Sequence, residues 1–260
     1  MGNELPIAVV KGSLKYCMEN KLFFLFVLII FAVCEYLLDI VHTPISGLTS
    51  MICFILVMGY GLQIIKDVID GGTRLPKIMP KKVIIFGFKG FVIRLFYTGI
   101  QLFLLTLIAV NLNFPLFDIE EFFLEYHDTI TLIFNHDAVS CIIFVISGFI
   151  ITYVTSFFME LSLARLADGG QLRKSFNFRR IKHAIDVIGW KNYTIGYSKI
   201  IFIIIVFSHI EAFFDQFQGF NVVTGVLSLF IIFIIEYRGM GNVYKVYTDL
   251  KNDVGDKSST

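Results

Sequence analysis

Two short stretches hold residues whose types and spacing could do chemistry. Asp70-Gly71-Gly72 closes one apolar run, and Asp168-Gly169-Gly170 closes another roughly a hundred residues later. A carboxylate beside two glycines has the makings of a catalytic acid or of a backbone loop that approaches a phosphate. The phosphate reading fails, because no Gly-x-x-x-x-Gly-Lys-Ser/Thr pattern surrounds either site and the acid would repel an anion. A structural reading accounts for every residue. Gly71 and Gly169 would take the left-handed conformation that ends a helix, and Gly72 and Gly170 would allow a sharp turn. Asp70 and Asp168 would pair with Lys66 and Arg165 one turn back, or accept from the next helix's free N–H groups.

Glu160, Glu236 and Arg238 are the next candidates, because they interrupt apolar runs and burying a charge at a bilayer centre costs at least about 2.5–3.5 kcal/mol. They would form either a proton or cation relay, with Gln63 and Gln101 as polar neighbours, or ion pairs with Arg238, Arg165 or Arg94 that join helices. Four histidines, His42, His127, His136 and His209, fall near carboxylates, but no i, i+3 or i, i+4 ligand pair supports a metal site. The four cysteines, Cys17, Cys34, Cys53 and Cys141, stand singly in apolar surroundings, so no disulfide or zinc framework is expected. No nucleophile elbow, HExxH, kinase or glycosidase signature occurs. The expectation is no enzyme, no metal and no cofactor.

The elements that must position these residues are set by composition. Of 260 residues 56% are hydrophobic and 17% charged, against about 25% charged in soluble domains. The mean hydropathy is +0.76. The 29 Phe exceed what a soluble core of this size needs, whereas lipid-facing helices absorb them. Runs near 22–42, 46–68, 95–113, 138–159, 193–214 and 221–241 reach the length of about 20 residues that a spanning helix needs. The fold class is all-α, a polytopic membrane protein with six transmembrane helices.

The basic residues fix the orientation. Lys and Arg precede the first run, fill the segments between the second and third and between the fourth and fifth, and surround the end of the sixth. The other three connections hold only acids, such as Asp118, Glu120 and Glu121. By the positive-inside rule both termini are cytoplasmic, and a net charge of +1 conceals a basic inner face and an acidic outer one. The first run reads as a span and not as a removable signal peptide. "NYT" at Asn192 falls on the inner side and is expected unmodified.

Superposing the two Asp-Gly-Gly sites also aligns the segments after them. Beyond Gly170, Phe178, Ile181, Ile185 and Ile188 recur at helical spacing opposite Arg179, Lys182, His183 and Asp186, which predicts an amphipathic helix in the inner interface, capped by Ser175 or Asn177. By the same offset "LPKIMPKKVIIFGFKGFVIR" after Gly72 is interfacial, which lifts Lys89 and Arg94 out of the hydrocarbon and leaves 95–113 as the span. The N-terminal "ELPIAVVKGSLKYCMEN" reads as a third copy. Each unit is then an interfacial helix followed by a transmembrane hairpin, with units at about 4–70, 74–168 and 171–249 in one domain of residues 1–249. An acidic, aromatic outer segment covers 114–137, and 250–260 is a polar, disordered cytoplasmic tail. Gly59 and Gly61, Ser162 and Ala164, and Gly239 and Gly241 precede the closing pairs Lys66 and Asp70, Arg165 and Asp168, and Lys245 and Asp249, so the even-numbered spans are expected to pack on one another near the inner face. The same small-residue faces would allow a homo-oligomer.

"GYGLQIIKDVIDGGTRLP" after one span, "LARLADGGQLRKSFNFRRI" running to "IGWKNY" after another, and the closing "YRGMGNVYKVY" resemble an archaeal multipass membrane family, domain of unknown function 4013. The likeness covers about residues 5 to 248. The segment after the first Asp-Gly is often acidic with a Trp in that family, and here it is the basic, Trp-free "KIMPKKVIIFG". The resemblance implies topology and an archaeal setting, and no chemistry.

The functional expectation is a membrane scaffold or assembly factor of the cell membrane. Lys81, Lys82, Arg173, Lys174, Arg179, Arg180 and Lys182 would contact anionic lipid headgroups or a protein partner at the cytoplasmic face, with no nucleic acid involved. A small-solute or ion transporter or channel using Glu160, Glu236 and Arg238 is the alternative.

Overall fold

In the computed structural model residues 6–19, 21, 25, 29, 44–112, 138–214 and 221–257 are described. Among them lie eight helices and no strand: α1 (Pro6–Met18), α2 (Pro44–Ile69), α3 (Pro80–Asn111), α4 (Ala138–Gly169), α5 (Leu172–Ser175), α6 (Phe178–Ile188), α7 (Trp190–Phe214) and α8 (Asn221–Lys257). Pro6, Pro44 and Pro80 each begin a helix, where the missing N–H is no loss and the fixed φ favours entry.

Five helical segments are long and apolar enough to cross a membrane: Met51–Ile69, Pro80–Asn111, Val139–Gly169, Trp190–Ile210 and Leu227–Lys251. These match five of the six expected spans. The expected first span at 22–42 and the outer segment 114–137 lie outside the described residues, apart from isolated positions 25 and 29.

One expectation is corrected. An interfacial helix handing over to a span at residue 95 is replaced by a single helix of 32 residues, Pro80–Asn111. No proline interrupts it, and Gly87 is packed against α2. A Cβ on Gly87 would overlap the Ile55 carbonyl, and one on Gly59 would overlap the Val83 carbonyl, so the two backbones touch where neither carries a side chain. At 1.5 Å per residue such a helix is about 48 Å long, well beyond a hydrocarbon layer of about 30 Å. The charged end therefore needs no break in the helix to lie outside the lipid. The C-terminal end departs in the same direction: α8 runs to Lys257, so residues 250–257 continue a helix. No proline occurs after Asn221 to force an earlier stop.

The chain divides into two compact units, residues 1–93 with 160–260, and residues 94–159. The first holds the larger core. In α2 the residues from Met58 to Ile65 are buried on every side, whereas Met51, Ile52, Phe54 and Leu56 towards its start are exposed. Buried residues of α8, from Phe230 to Tyr244, meet that face of α2. Gly61 lies under the Tyr237 ring, a Cβ on Gly241 would sit 2.9 Å from Val68 Cβ, and the Tyr60 and Phe233 rings stack at 6.4 Å. The expected packing between the second and sixth spans is thus present. The other small residues serve different neighbours, Gly59 facing α3 and Gly239 facing Ile200 of α7. Ser162 and Ala164 are fully buried in α4.

The second unit is a helix pair whose lining is apolar. Ala109, Cys141 and Phe144 form a buried cluster. Gln101 Nε2 donates to Thr152 Oγ1 at 2.9 Å, a polar tie between two otherwise lipid-compatible surfaces.

Candidate functional site: the two Asp-Gly-Gly corners

The first corner ends α2. Asp70 N–H donates to the Lys66 carbonyl, and Gly71, at φ +88°, turns the chain out of the helix. Gly72 then folds back so that its N–H donates to the Asp67 carbonyl at 2.7 Å. A Cβ at Gly72 would occupy the space of the Asp67 carboxylate, so the second glycine is required by close approach.

The second corner is built one residue later. Gly169 is still helical and has open space around its Cβ position, and the left-handed residue is Gly170, at φ +63°. The assignment of the turn to Gly169 is therefore corrected. The extra helical residue lets Gly170 N–H close onto the Leu166 carbonyl at 2.7 Å, and leaves the Gly170 carbonyl for Lys89 of α3, whose ammonium donates to it at 2.6 Å. Lys89 is thereby given a backbone acceptor inside the fold.

The two corners meet. Lys66 Nζ lies 2.8 Å from Asp70 Oδ1, the expected pair one turn apart, and 3.9 Å from Asp168 Oδ1. Asp168 is not joined to Arg165 as expected. Its other oxygen faces the Tyr244 hydroxyl of α8 at 3.5 Å, while Arg165 Nη1 donates to the Arg180 carbonyl at 2.7 Å in the first turn of α6. Lys245 Nζ approaches the Cβ position of Gly71 at 3.6 Å. The charged ends of α2 and α4 thus meet at Lys66, with Tyr244 and Lys245 of α8 alongside.

Asp67 is a site residue that sequence reasoning missed. It belongs to no repeated motif, and its one signal is its register, five residues before Gly72 and one after Lys66. The Tyr16 hydroxyl of α1 donates to its Oδ2 at 2.8 Å. Over the Tyr16 ring, at 5.4 Å from its centroid, stands the Arg238 guanidinium, which also donates to Ser13 Oγ at 3.3 Å. Burial, and next the negative charge of Asp67, push the Tyr16 hydroxyl far above its usual range. Burial likewise pushes the neighbouring Cys17 thiol up to about 12.

The three intramembrane candidates differ in exposure. Glu160 is 5% exposed near the end of α4, Glu236 is half-buried on α8, and Arg238 is engaged with α1. Their expected polar neighbours have other partners, since Gln63 Nε2 faces the Met79 carbonyl at 3.4 Å and Gln101 serves the Thr152 and Thr155 hydroxyls. Of the histidines only His183 and His209 are described; His209 is exposed, its Nδ1 2.8 Å from the Ile205 carbonyl. Among the described residues no group of His, Cys, Asp and Glu could hold a metal ion.

The basic set is exposed throughout: Lys81 and Lys82 at the start of α3, Arg173 and Lys174 on α5, and Arg179, Arg180 and Lys182 on α6. Asn177 caps α6 by accepting from Arg180 N–H at 3.2 Å. The apolar face of α6 is Ile181, Ala184, Ile185 and Ile188, all buried by the protein itself, with the His183 ring edge-on to Tyr247 of α8 at 6.5 Å. Phe178, expected on that face, is 56% exposed. After Ile188, Gly189 at φ +89° turns the chain into α7, and Trp190 Nε1 donates back to Asp186 at 2.8 Å.

These features define an all-α protein with several membrane-compatible helices and a polar cluster where the charged ends of α2 and α4 meet. The family described as protein of unknown function (DUF4013) matches residues 45–214, more than half of the chain, and the chain belongs to it. The match takes in both corners, α6 and α7, and leaves α1 and α8 outside. No curated protein and no solved structure matches the chain.

Proposed function

We propose that this chain is a non-enzymatic scaffold or assembly factor of the cell membrane, in an archaeal setting, that holds a basic surface at the cytoplasmic face for anionic lipid headgroups or a protein partner. The observation that carries the reading is α6. Its apolar side is covered by the protein, so the helix is fixed in place, and Arg179, Arg180 and Lys182 point away from the core. A free amphipathic helix would immerse its apolar side in lipid; here the cations are presented on a rigid base. The distribution of Lys and Arg supports cytoplasmic termini and a sixth span at 22–42. Both Asp-Gly-Gly corners, each followed by a helix whose first turn is basic, support a two-fold recurrence along the chain.

A small-solute or ion transporter is the second reading, favoured by one observation, the burial of Glu160. The attachment of Arg238 to α1, and of Gln63 and Gln101 to other partners, weighs on the side of the scaffold. Reconstitution into liposomes separates the two. The scaffold reading expects binding to anionic liposomes that falls on charge reversal of Arg179, Arg180 and Lys182, with no solute flux. Flux that disappears in Glu160→Gln, with lipid binding untouched by the reversals, overturns it.

A further inference from the structure

A groove of about 530 Å³ runs between α1 and α7, lined by Val10, Lys11 and Leu14 on one side and Phe202, Ile203, Val206 and Phe207 on the other. Ile203 is 4% exposed and forms its floor, while Leu14, Phe202 and Val206 form open walls. Among the described residues of the lining the single polar side chain is Lys11, which is exposed, and no ion pair of its ammonium occurs among the described residues.

The depth of the groove in the membrane can be read from α7. Lys191 and Lys199 lie in its first part, and no further cation occurs before Phe214. The hydrocarbon-facing stretch therefore begins just past Lys199, and Phe202 is only about 4.5 Å further along the helix. A groove whose apolar walls start at that level, with an ammonium in its lining, offers both environments that a phospholipid needs, a cation for the phosphate and an apolar trough for a chain. We propose that this groove is a binding site for one anionic phospholipid of the inner leaflet, an acyl chain lying between α1 and α7 and the phosphate resting on Lys11. Ordinary boundary lipid needs neither a concave floor nor a cation beside it; this site has both. It is separate from the basic face of α6 and rests on the spanning of α7 and on the proposed cytoplasmic placement of its lysine-bearing end.

The test is native mass spectrometry of the purified chain in mixed micelles, titrated with phosphatidylglycerol and with phosphatidylcholine. One phosphatidylglycerol should remain bound per chain. Lys11→Glu should weaken that binding on the order of tenfold, and Lys11→Arg should preserve it. Val206→Trp, which fills the groove from an exposed wall, should remove binding of both lipids. Charge reversal of Arg179, Arg180 and Lys182 should leave the bound lipid in place, so failure of the scaffold reading and failure of this site are separately visible. Wild-type retention of lipid by both Lys11→Glu and Val206→Trp overturns the proposal. So does a chain in which Val206→Trp abolishes a dimer and leaves lipid binding unchanged, because the groove would then seat a second copy.

Discussion

The Tyr16 hydroxyl donates to Asp67 Oδ2 at 2.8 Å, tying the first helix to the second across 51 residues. Tyr16 is 2% exposed, so the donor has no solvent to replace its partner. Tyr16→Phe keeps the ring beneath Arg238 and removes only the hydroxyl. It should lower stability by about 1–3 kcal/mol, because Asp67 loses a buried donor. Thermal unfolding in detergent checks this, and Asp67→Asn, which keeps an acceptor, should cost less.

The corners predict an asymmetric glycine scan. Gly72→Ala should be the most damaging change, since the new Cβ displaces the Asp67 carboxylate and with it the bond to Tyr16. Gly170→Ala should cost about 1–2 kcal/mol from its left-handed backbone. Gly169→Ala, in a helix with open space, should be neutral or stabilising by up to about 1 kcal/mol. Equal melting temperatures for Gly169→Ala and Gly170→Ala would contradict the one-residue offset between the corners.

Two lysines at the corners should behave differently. Lys66 is partly exposed and its ion pairs are screened, so Lys66→Met should change stability by less than about 1 kcal/mol. Lys89 is half-buried and donates to the Gly170 carbonyl, so Lys89→Met should cost about 1–3 kcal/mol. Parallel unfolding curves with and without salt decide the matter, because only the Lys66 contribution should fade with added salt.

Cys17 should resist alkylation. Its thiol is pushed up to about 12, so at pH 8 almost no thiolate is available in the folded protein. In a background lacking Cys34, Cys53 and Cys141, labelling should be slow at pH 8 and fast once the chain is unfolded. The linked stability has a definite sign: the folded state holds its proton above pH 9, where the unfolded state releases it, so stability falls as pH rises from about 9 towards 12.

Trp190 is the single tryptophan and reports on the level of α6. Its ring is 46% exposed and its Nε1 is held by Asp186. Its fluorescence should be quenched most by lipids labelled near the headgroup and least by lipids labelled at the chain end, as for an interfacial aromatic. Strongest quenching from the chain end would place α6 too deep for its basic face to meet headgroups.

Hydropathy and charge made five of the helices legible, and the recurrence of Asp-Gly-Gly located both corners. The same signals misjudged α3, because a basic segment before an apolar one reads alike whether the helix bends along a surface or continues straight through it. What decides is the contact of Gly87 with α2, which depends on a tertiary partner. Asp67 was hidden for a related reason. Its importance comes from Tyr16 and Gly72, one far away and one with no side chain, and neither leaves a periodic trace. Asn177 as a cap and the apolar face of α6 were legible because both depend on neighbours within one helix.

The bond between Arg238 and Ser13 joins residues 225 positions apart. During synthesis, α1 emerges first but its fastening on α8 emerges last. The α2 and α3 hairpin can close early through Gly59 and Gly87, and α1 can already be tied to α2 through Tyr16 and Asp67, but its second fastening must wait until Arg238 has been made. Completion of α8 therefore adds the second clamp on α1, and a chain cut short before Arg238 should betray itself by an N-terminal segment more open to protease than in the full chain.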